Sequence, residues 1–159
     1  MRFTTRRATS RDAPRLTALA REAKAHWGYP ADWLDVWRDA LTITPDYIER
    51  HTVLVASLKS ETRAVIGMCA LEDRETRWEL AHLWVAPCAH GIGVGRALVE
   101  QALTIASQRR PGSVVRVESD PNAAGFYRRV GAREVGAVPA PMTGDPARTL
   151  PVFELRTPE

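Results

Sequence analysis

The residues with the clearest chemical meaning are glycines at every second position within 91–95, which follow a strand-like segment at 78–85. That segment is rich in aromatic and branched residues and is ended by Pro87, since proline cannot extend a sheet ladder. The residues from 96 onward read as a helix. Glycine lets a backbone approach a ligand closely, and the N–H groups of a first helical turn attract anions. The pattern predicts an anion-binding loop, and the alternative is a plain tight turn before a helix.

The length and composition indicate a single globular domain spanning residues 1–159. With 45% hydrophobic residues, the chain is long enough to bury a sizeable core. The 26% charged fraction is that of an ordinary folded protein and excludes a disordered tail. No apolar run approaches the roughly 18 residues that a bilayer helix needs, so we expect no membrane association.

Charge and cysteine usage narrow the partners and the compartment. The net charge of +3 suits an anionic ligand, but the chain has no Lys/Arg run of the kind that binds nucleic acid. Cys69 and Cys88 match no metal or redox spacing, so we expect two unpaired thiols and no metal. Residues 1–7 lack the apolar core of a signal peptide. These features predict a cytoplasmic protein without nucleic-acid partners.

The chain opens with a predicted strand at 2–8 and a helix capped by Ser10 or Asp12, with Pro14 in the first helical turn. The buried face of that helix repeats at helical spacing through Leu16, Leu19, Ala20 and Ala23. The chain then breaks before a second helix. That helix should bury the stripe formed by Trp33, Val36, Trp37, Ala40 and Leu41.

Three strands should follow, at 52–58, 63–71 and 78–85, after a short helical turn begun by Thr44 and Pro45. The connections between these strands are too short for crossover helices, which predicts an antiparallel meander.

The second half of the chain should add a parallel strand at 113–118, because it follows the helix after the glycines in a right-handed strand-helix-strand unit. A short helix at 121–130 is closed by Gly131. Strands at 133–138 and 151–156 then flank a Pro/Gly-rich segment, 139–150, that we expect to be unstructured. The architecture is α+β, with one mixed sheet and helices on both faces.

Two motifs resemble those of the GNAT superfamily of acyl-CoA-dependent N-acyltransferases. The superfamily's phosphate-binding pattern, Arg/Gln-x-x-Gly-x-Gly/Ala, matches His90-x-x-Gly93-x-Gly95. Its Ala-x-x-Phe-Tyr-x-x-x-Gly element matches Ala123, Phe126, Tyr127 and Gly131. The predicted order of elements also follows the superfamily, so the resemblance covers essentially the whole chain. It implies a GNAT-like three-layer α/β/α fold with a mixed, mostly antiparallel sheet.

The chain departs from the superfamily pattern at two positions. His90 replaces the usual Arg or Gln, so this position could contribute a backbone N–H rather than a fixed charge. The Asn that often precedes the second motif falls on Asp120, while Asn122 lies two residues later. Either residue could take the role of that Asn.

The resemblance implies that acetyl-CoA is the donor, with its pyrophosphate on the amides of residues 91–96. Its pantetheine arm would pair with the strand edge near Trp84, where a backbone amide would polarise the thioester carbonyl. The implied cofactor-binding residues are Leu83, Trp84, Val85, His90, Gly91, Ile92, Gly93, Val94, Gly95, Arg96, Asn122 and Phe126. For the side chains of Leu83, Val85 and Phe126, packing in the core is the alternative.

Acyl transfer to an amine needs a proton for the departing thiolate and a base for the amine. Tyr127 matches the tyrosine that commonly protonates the thiolate in the superfamily, and its alternative role is a packed aromatic. Glu79 matches the strand glutamate that deprotonates the amine, although it could equally pair with an arginine. His82 and His26 are further candidates for the base, and for His82 a packing role is the alternative.

In the superfamily, the acceptor is normally recognised by the first two helices and by the hairpin late in the chain, which here would be formed by the last two predicted strands. The candidate acceptor residues are His26, Trp27, Tyr29 and Trp33, with residues 139–150 as a lid. At helical spacing Trp33 also fits the core. The cluster suggests a small, partly apolar acceptor that carries an amine.

The implied function is an N-acetyltransferase that joins acetyl-CoA and a small-molecule amine in a ternary complex, with direct attack. The alternatives are a protein lysine or N-terminal acetyltransferase, and a CoA-binding sensor that keeps the fold without turnover. A dinucleotide-binding Rossmann fold is excluded by the glycine spacing and by its position in mid-chain. The oligomeric state stays open, a homodimer included.

Overall fold

The computed structural model describes residues 2–159, which contain one seven-stranded mixed sheet. The strands are β1 (Phe3–Arg7), β2 (Thr52–Leu58), β3 (Val65–Asp73), β4 (Trp78–Val85), β5 (Val114–Glu118), β6 (Arg133–Pro139) and β7 (Thr149–Arg156). Their order across the sheet is β1-β2-β3-β4-β5-β7-β6. β4 and β5 are parallel, whereas β1–β2, β2–β3, β5–β7 and β6–β7 are antiparallel. The predicted mixed, mostly antiparallel sheet is confirmed.

The helices occupy the predicted places between the strands. They are α1 (Ala13–Ala25), α2 (Ala31–Val36), α3 (Pro45–Arg50), α4 (Val94–Arg109) and α5 (Ala124–Arg129), with single 3-10 turns at Ser10–Asp12, Pro87–Ala89 and Pro121–Ala123. The short turn predicted at Thr44 and Pro45 is α3, where Thr44 Oγ1 accepts a hydrogen bond from the Tyr47 N–H at 3.0 Å. Within the part of the chain described, no helix combines the length and apolar character that a membrane span requires.

The residues group into two compact units. One comprises the chain up to Leu71 together with His82–Ala102, and the other comprises Glu72–Ala81 together with Leu103–Glu159. The single domain expected from the sequence stays a prediction.

In the first unit, α1 packs its predicted face inward. Its fully buried positions are Leu16, Leu19 and Ala20, with Ala23 almost as buried. β2 and β3 are buried along nearly their whole lengths. Cys69 on β3 lies in this core, and burial raises the pKa of its thiol to about 12. Cys88 is exposed, so the predicted pair of unlinked cysteines is confirmed.

In the second unit, the core is organised around Trp78 and Phe153, which are both completely buried. The Trp78 indole Nε1 donates a hydrogen bond to Ser113 Oγ at 3.2 Å. The Arg110 guanidinium lies 4.2 Å from the centre of the same indole and pairs with Asp73 at 2.9 Å. That hydrogen bond lowers the pKa of Asp73. The end of α4 is thereby tied to the end of β3.

The apolar stripe predicted for the second helix is only partly correct. α2 ends at Val36, so the stripe does not continue along a helix to Leu41. Val36 is 69% exposed and Ala40 is also exposed, which contradicts their predicted burial. Trp33 and Trp37 remain half-buried because each packs on the Tyr29 ring.

The segment 139–150 largely lacks regular secondary structure, as its Pro and Gly content predicts, and the flanking strands extend only slightly into it. β6 extends to Pro139 and β7 begins at Thr149, so the segment forms the end of a hairpin. At its tip, Met142 and Asp145 exchange backbone hydrogen bonds of 3.1 and 2.9 Å. Proline cannot donate to a ladder, but edge strands tolerate it because one row of their N–H groups needs no partner.

A close contact at Gly67 sets how α4 packs on β3. A β-carbon at Gly67 would lie 2.6 Å from Val94 Cγ1 and 3.2 Å from Leu98 Cδ1. Val94 and Leu98 are the buried residues of the first turns of α4. The missing side chain at Gly67 therefore lets the start of this helix approach the strand.

We expect Gly67→Ala to lower the free energy of unfolding by about 1–3 kcal/mol, because an overpacked core must shift its neighbours. The branched Val94 side chain has few alternative rotamers to move into. Chemical denaturation followed by circular dichroism measures the change.

The matched control is Gly136→Ala on β6, where an added β-carbon meets nothing within 4 Å. That variant should change stability by less than about 0.5 kcal/mol. Equal losses for the two variants would show that the cost arises from the strand backbone and not from α4.

Candidate functional site

The loop before α4 has the backbone conformation that its glycines predict. Gly91 and Gly93 have φ angles of 83° and 89°, in the left-handed region that favours glycine. A β-carbon built on either residue would meet nothing within 4 Å. The space above the loop is thus open, and Gly91, Ile92 and Gly93 are exposed.

The helix that follows adds the electrostatic part of an anion site. α4 is 16 residues long and begins at Val94, which is buried and anchors the first turn. The Ala97 N–H donates to the Gly93 carbonyl at 3.0 Å, so the N–H groups of the preceding residues lie ahead of the intrahelical ladder. Gly95 is half-buried and Arg96 is exposed, with its guanidinium 3.8 Å from Glu100. An open loop and a helix N-terminus fit a phosphate group.

His90, the first residue of the loop, is held by three neighbours in the first unit. Its Nε2 lies 3.2 Å from the Val85 carbonyl oxygen, so this hydrogen bond needs the proton on Nε2. Its ring stacks on Trp27 at 6.4 Å and meets His26 edge-on at 5.4 Å. The structure therefore brings His26 and Trp27, predicted for the acceptor, against the glycine loop. Their acceptor role stays a prediction.

The second half of β4 carries the residues predicted to meet the pantetheine arm. Leu83, Trp84 and Val85 are all half-buried. The register of β4 with β5 pairs Trp78 with Val115 and Glu79 with Arg116. Residues 83–85 lie beyond these two pairs of β4 and β5. A strand edge that is to pair with a ligand must not already be paired with a neighbouring strand on that side.

His82 is oriented by its neighbour on β4. The Trp84 indole Nε1 donates to His82 Nδ1 at 3.0 Å, so in the neutral ring Nδ1 accepts and the proton is on Nε2. His82 also meets the Tyr47 ring edge-on at 5.6 Å. To remove a proton from an amine, His82 would have to give up the bond to Trp84, so this geometry favours the packing alternative.

Glu79 lies in the second unit, in contact with two arginines. Its Oε1 accepts from Arg116 Nη1 at 3.0 Å and from Arg77 Nη2 at 3.4 Å. The side chains of Glu79 and Arg116 are only 14% and 19% exposed. Desolvation opposes the charge of Arg116, but the hydrogen bonds and charges of Glu79 and Glu118 raise its pKa overall. The pairing alternative is thus present, and the role of base stays a prediction.

Glu79 also faces a cleft of about 540 Å³ within the second unit. The lining is mainly charged, and its uncharged members are Thr76, Leu80 and Ala81. A cleft of this size fits a small molecule or the end of a peptide.

Tyr127 on α5 is 5% exposed and stacks on Phe153 with ring centres 5.7 Å apart. Phe126 packs edge-on against it at 5.2 Å and is half-buried, in agreement with a packing role. The Tyr127 ring is held rigidly, which a positioned acid needs.

The residues between β5 and α5 form a small cap. Asp120 Oδ1 accepts from the Asn122 backbone N–H at 2.8 Å and from its Nδ2 at 3.0 Å. Asp120 thereby caps the 3-10 turn, while Asn122 is exposed. This difference favours Asn122 as the ligand-binding residue of the two.

Tyr29 and Trp33 form an aromatic cluster with Trp37 and Lys24. The Tyr29 ring stacks on Trp33 at 5.6 Å and meets Trp37 edge-on at 4.9 Å. The Lys24 Nζ lies 4.2 Å from the Trp37 ring centre and 5.0 Å from that of Tyr29. These rings already contact a cation of the chain itself, so their acceptor role stays a prediction.

Sequence reasoning missed Arg116 and the contact of Trp27 with His90. Arg116 could have been found by aligning the two parallel strands, since both Glu79 and Arg116 alternate with buried apolar residues. The contact of Trp27 joins residues far apart in the chain and leaves no local signal. No cluster of three or more His, Cys, Asp or Glu side chains suited to a metal ion occurs among residues 2–159.

The chain is similar to solved structures over nearly its whole length. PaiA N-acetyltransferase from Thermoplasma acidophilum in complex with coenzyme A has 18% identity and a TM-score of 0.76, with 98% of this chain and 99% of that chain covered. YncA, a putative acetyltransferase from Salmonella typhimurium with its cofactor acetyl-CoA, has 19% identity and a TM-score of 0.70, with 100% and 96% covered.

The ribosomal-protein-S18-alanine N-acetyltransferase from Escherichia coli has 16% identity and a TM-score of 0.71, with 99% and 96% covered. At these identities the likeness shows the fold. No curated protein matches the sequence.

The family model described as the acetyltransferase (GNAT) domain matches residues 40–139, which include β2 to β6 and the glycine loop. That match covers more than half of the chain, and the sheet and the loop agree with the fold of the structural neighbours. The chain belongs to the GNAT acetyltransferase domain family.

Proposed function

We propose that the protein is an N-acetyltransferase that transfers acetyl from acetyl-CoA to the primary amine of a small molecule, by direct attack in a ternary complex. The observation that carries the proposal is the open glycine loop at the N-terminus of α4, in a chain of the GNAT acetyltransferase domain family. Structural neighbours described with coenzyme A or acetyl-CoA support the same donor.

The donor would be held by backbone groups. The N–H groups of the first turn of α4 would bind the pyrophosphate, and the open space over Gly91 and Gly93 lets oxygen atoms come close. Acetyl-CoA supplies the activated thioester. A backbone N–H within residues 83–85 would donate to the thioester carbonyl oxygen and stabilise the charge that develops there.

Two side chains would move protons. The Tyr127 hydroxyl would protonate the departing thiolate, and Glu79 would take a proton from the acceptor amine. A half-buried carboxylate bound by two guanidinium groups is held in place, which suits a group that must orient an amine.

The cleft beside Glu79 supports a small acceptor. Its volume of about 540 Å³ lies within the range of roughly 300–1,000 Å³ typical of small-molecule sites. A protein lysine or an N-terminal amine is the alternative acceptor, since the fold also occurs in a ribosomal-protein N-acetyltransferase.

The proposal is tested by measuring thiol release from acetyl-CoA in the presence of small amines, lysine peptides and peptides with a free N-terminus. We expect turnover with at least one small amine and kcat/KM values at least about tenfold lower for the peptides. Coenzyme A binding without turnover of any amine would instead support a sensor of the same fold.

Tyr127→Phe should lower kcat by about 10²–10⁴, because the variant keeps the packed ring but lacks the proton donor. The rate of thiol release at saturating substrate measures the loss. Tyr47→Phe is the matched control and should change kcat by less than about threefold, because its ring packs on His51 and His82, neither of which moves a proton in the proposed mechanism. A loss below about threefold in Tyr127→Phe would remove the residue from the role of acid.

Trp27→Ala should raise the KM for acetyl-CoA more than the KM for the acceptor, because Trp27 stacks on His90 at the start of the donor loop. Initial rates with each substrate varied in turn measure the two constants. The control is Val36→Ala, which changes an exposed apolar residue on α2. A rise in the acceptor KM alone would assign Trp27 to the acceptor site, as the sequence suggested.

A further inference from the structure

The cleft of the second unit has a charged lining of which the proposed acetyl transfer uses only Glu79. Its charged lining consists of three glutamates and three arginines, namely Glu72, Arg74, Arg77, Glu79, Arg116 and Glu118. The formal charges of these side chains sum to zero. The two signs alternate, because every one of the glutamates has an arginine within 3.4 Å.

Arg116 connects the acidic groups. Its Nη1 lies 3.0 Å from Glu79 Oε1 and 3.2 Å from Glu118 Oε2, so one guanidinium bridges two carboxylates. Such a bridge keeps the carboxylates apart by a defined distance and leaves each with further acceptor positions.

The arginines at the β3–β4 turn are held less tightly. The contact of Arg77 with Glu79 is long, at 3.4 Å, and the Arg77 side chain is 46% exposed. Arg74 is 58% exposed and pairs with the more buried Glu72. Exposed arginine side chains can reorient at low cost toward an anionic group that enters the cleft.

These charges exclude several classes of acceptor. A polyamine could pair with the three glutamates, but it carries no anionic group for the three guanidinium groups, which repel it. An aromatic amine without a carboxylate would remove water from the guanidinium groups without replacing the hydrogen bonds that this water made. A ligand that carries both an ammonium and a carboxylate complements the glutamates and the arginines of the lining.

We propose that the cleft binds a zwitterionic acceptor, an α-amino acid or a short peptide with a free C-terminus. Its amine lies against Glu79 and Glu118, and its carboxylate lies against the guanidinium groups of Arg77 and Arg74. The inference rests on the proposed acetyl transfer and specifies the acceptor of that reaction.

The chemistry balances with this arrangement. The ammonium of the acceptor gives one proton to solvent through Glu79, and the neutral nitrogen forms a C–N bond to the acetyl carbon while the C–S bond breaks. The thiolate takes a proton from Tyr127, and the second proton of the nitrogen returns to Tyr127 and restores its hydroxyl. One proton therefore appears in solution for each amide formed.

The test compares matched probes that differ in the carboxylate alone. L-Leucine, L-methionine and glycyl-L-leucine are each assayed beside their C-terminal amides, with spermidine and tyramine as members of the excluded classes. We expect kcat/KM to be at least about tenfold higher for the best carboxylate probe than for its amide, because a site built for a charged group rejects the analogue that lacks it. Faster turnover of the amides, of spermidine or of tyramine would overturn the proposal.

A pair of variants locates the carboxylate. Arg77→Gln should lower the ratio of kcat/KM between the carboxylate and amide probes by about tenfold. Arg128→Gln, which removes an exposed arginine paired with Glu134 outside the cleft, should leave the ratio unchanged. An unchanged ratio in Arg77→Gln would overturn the assignment.

Calorimetric titration of glycyl-L-leucine and its amide separates this inference from the proposed function. If no amine is acetylated, the proposed function fails, and weaker binding of the dipeptide to Arg77→Gln than to the unchanged protein still supports a zwitterion site. If amines are acetylated but the carboxylate probes bind no better than the amides, the proposed function stands and the zwitterion site is wrong.

Discussion

The pairing of Glu79 with Arg116 is the interaction on which the chemistry of the second unit depends. The parallel register of β4 and β5 places the two residues opposite each other, so backbone geometry and an ion pair specify the same contact. Each side chain is mostly withdrawn from water. A charge without a partner would be costly in such a buried position. The cleft beside them therefore keeps its shape and its alternating charges together.

The anion site is constructed on a different principle. It uses no fixed side-chain charge at His90, and its attraction comes from a helix terminus and from glycines that leave room above the backbone. The missing side chain at Gly67 contributes at a distance, because it lets Val94 seat the first turn of α4 on β3. In the proposed function, donor recognition thus depends on backbone position, whereas acceptor recognition depends on side chains.

Local elements and contacts between distant residues differ in how well the sequence predicts them. Periodicity located α1, β4 and α4, because helix and strand patterns are local. The burial of Val36 was predicted wrongly, since the pattern could not indicate that α2 ends there. Segment 139–150 was predicted as loop from its Pro and Gly content, and only its two ends belong to strands, because the pairing of β6 with β7 continues slightly into it. Arg116, which pairs with Glu79, and Trp27, which stacks on His90, come from distant parts of the chain, so no local pattern pairs them.

The cluster around Lys24 has a consequence for self-modification. The chain contains two lysines, Lys24 and Lys59, and its other basic side chains are arginines and histidines. A guanidinium stays protonated in proteins and offers no neutral nitrogen to an acyl donor. Lys24 in turn lies over two aromatic rings. With acetyl-CoA as the proposed donor, the chain therefore presents few amine side chains of its own that could be acylated by chance.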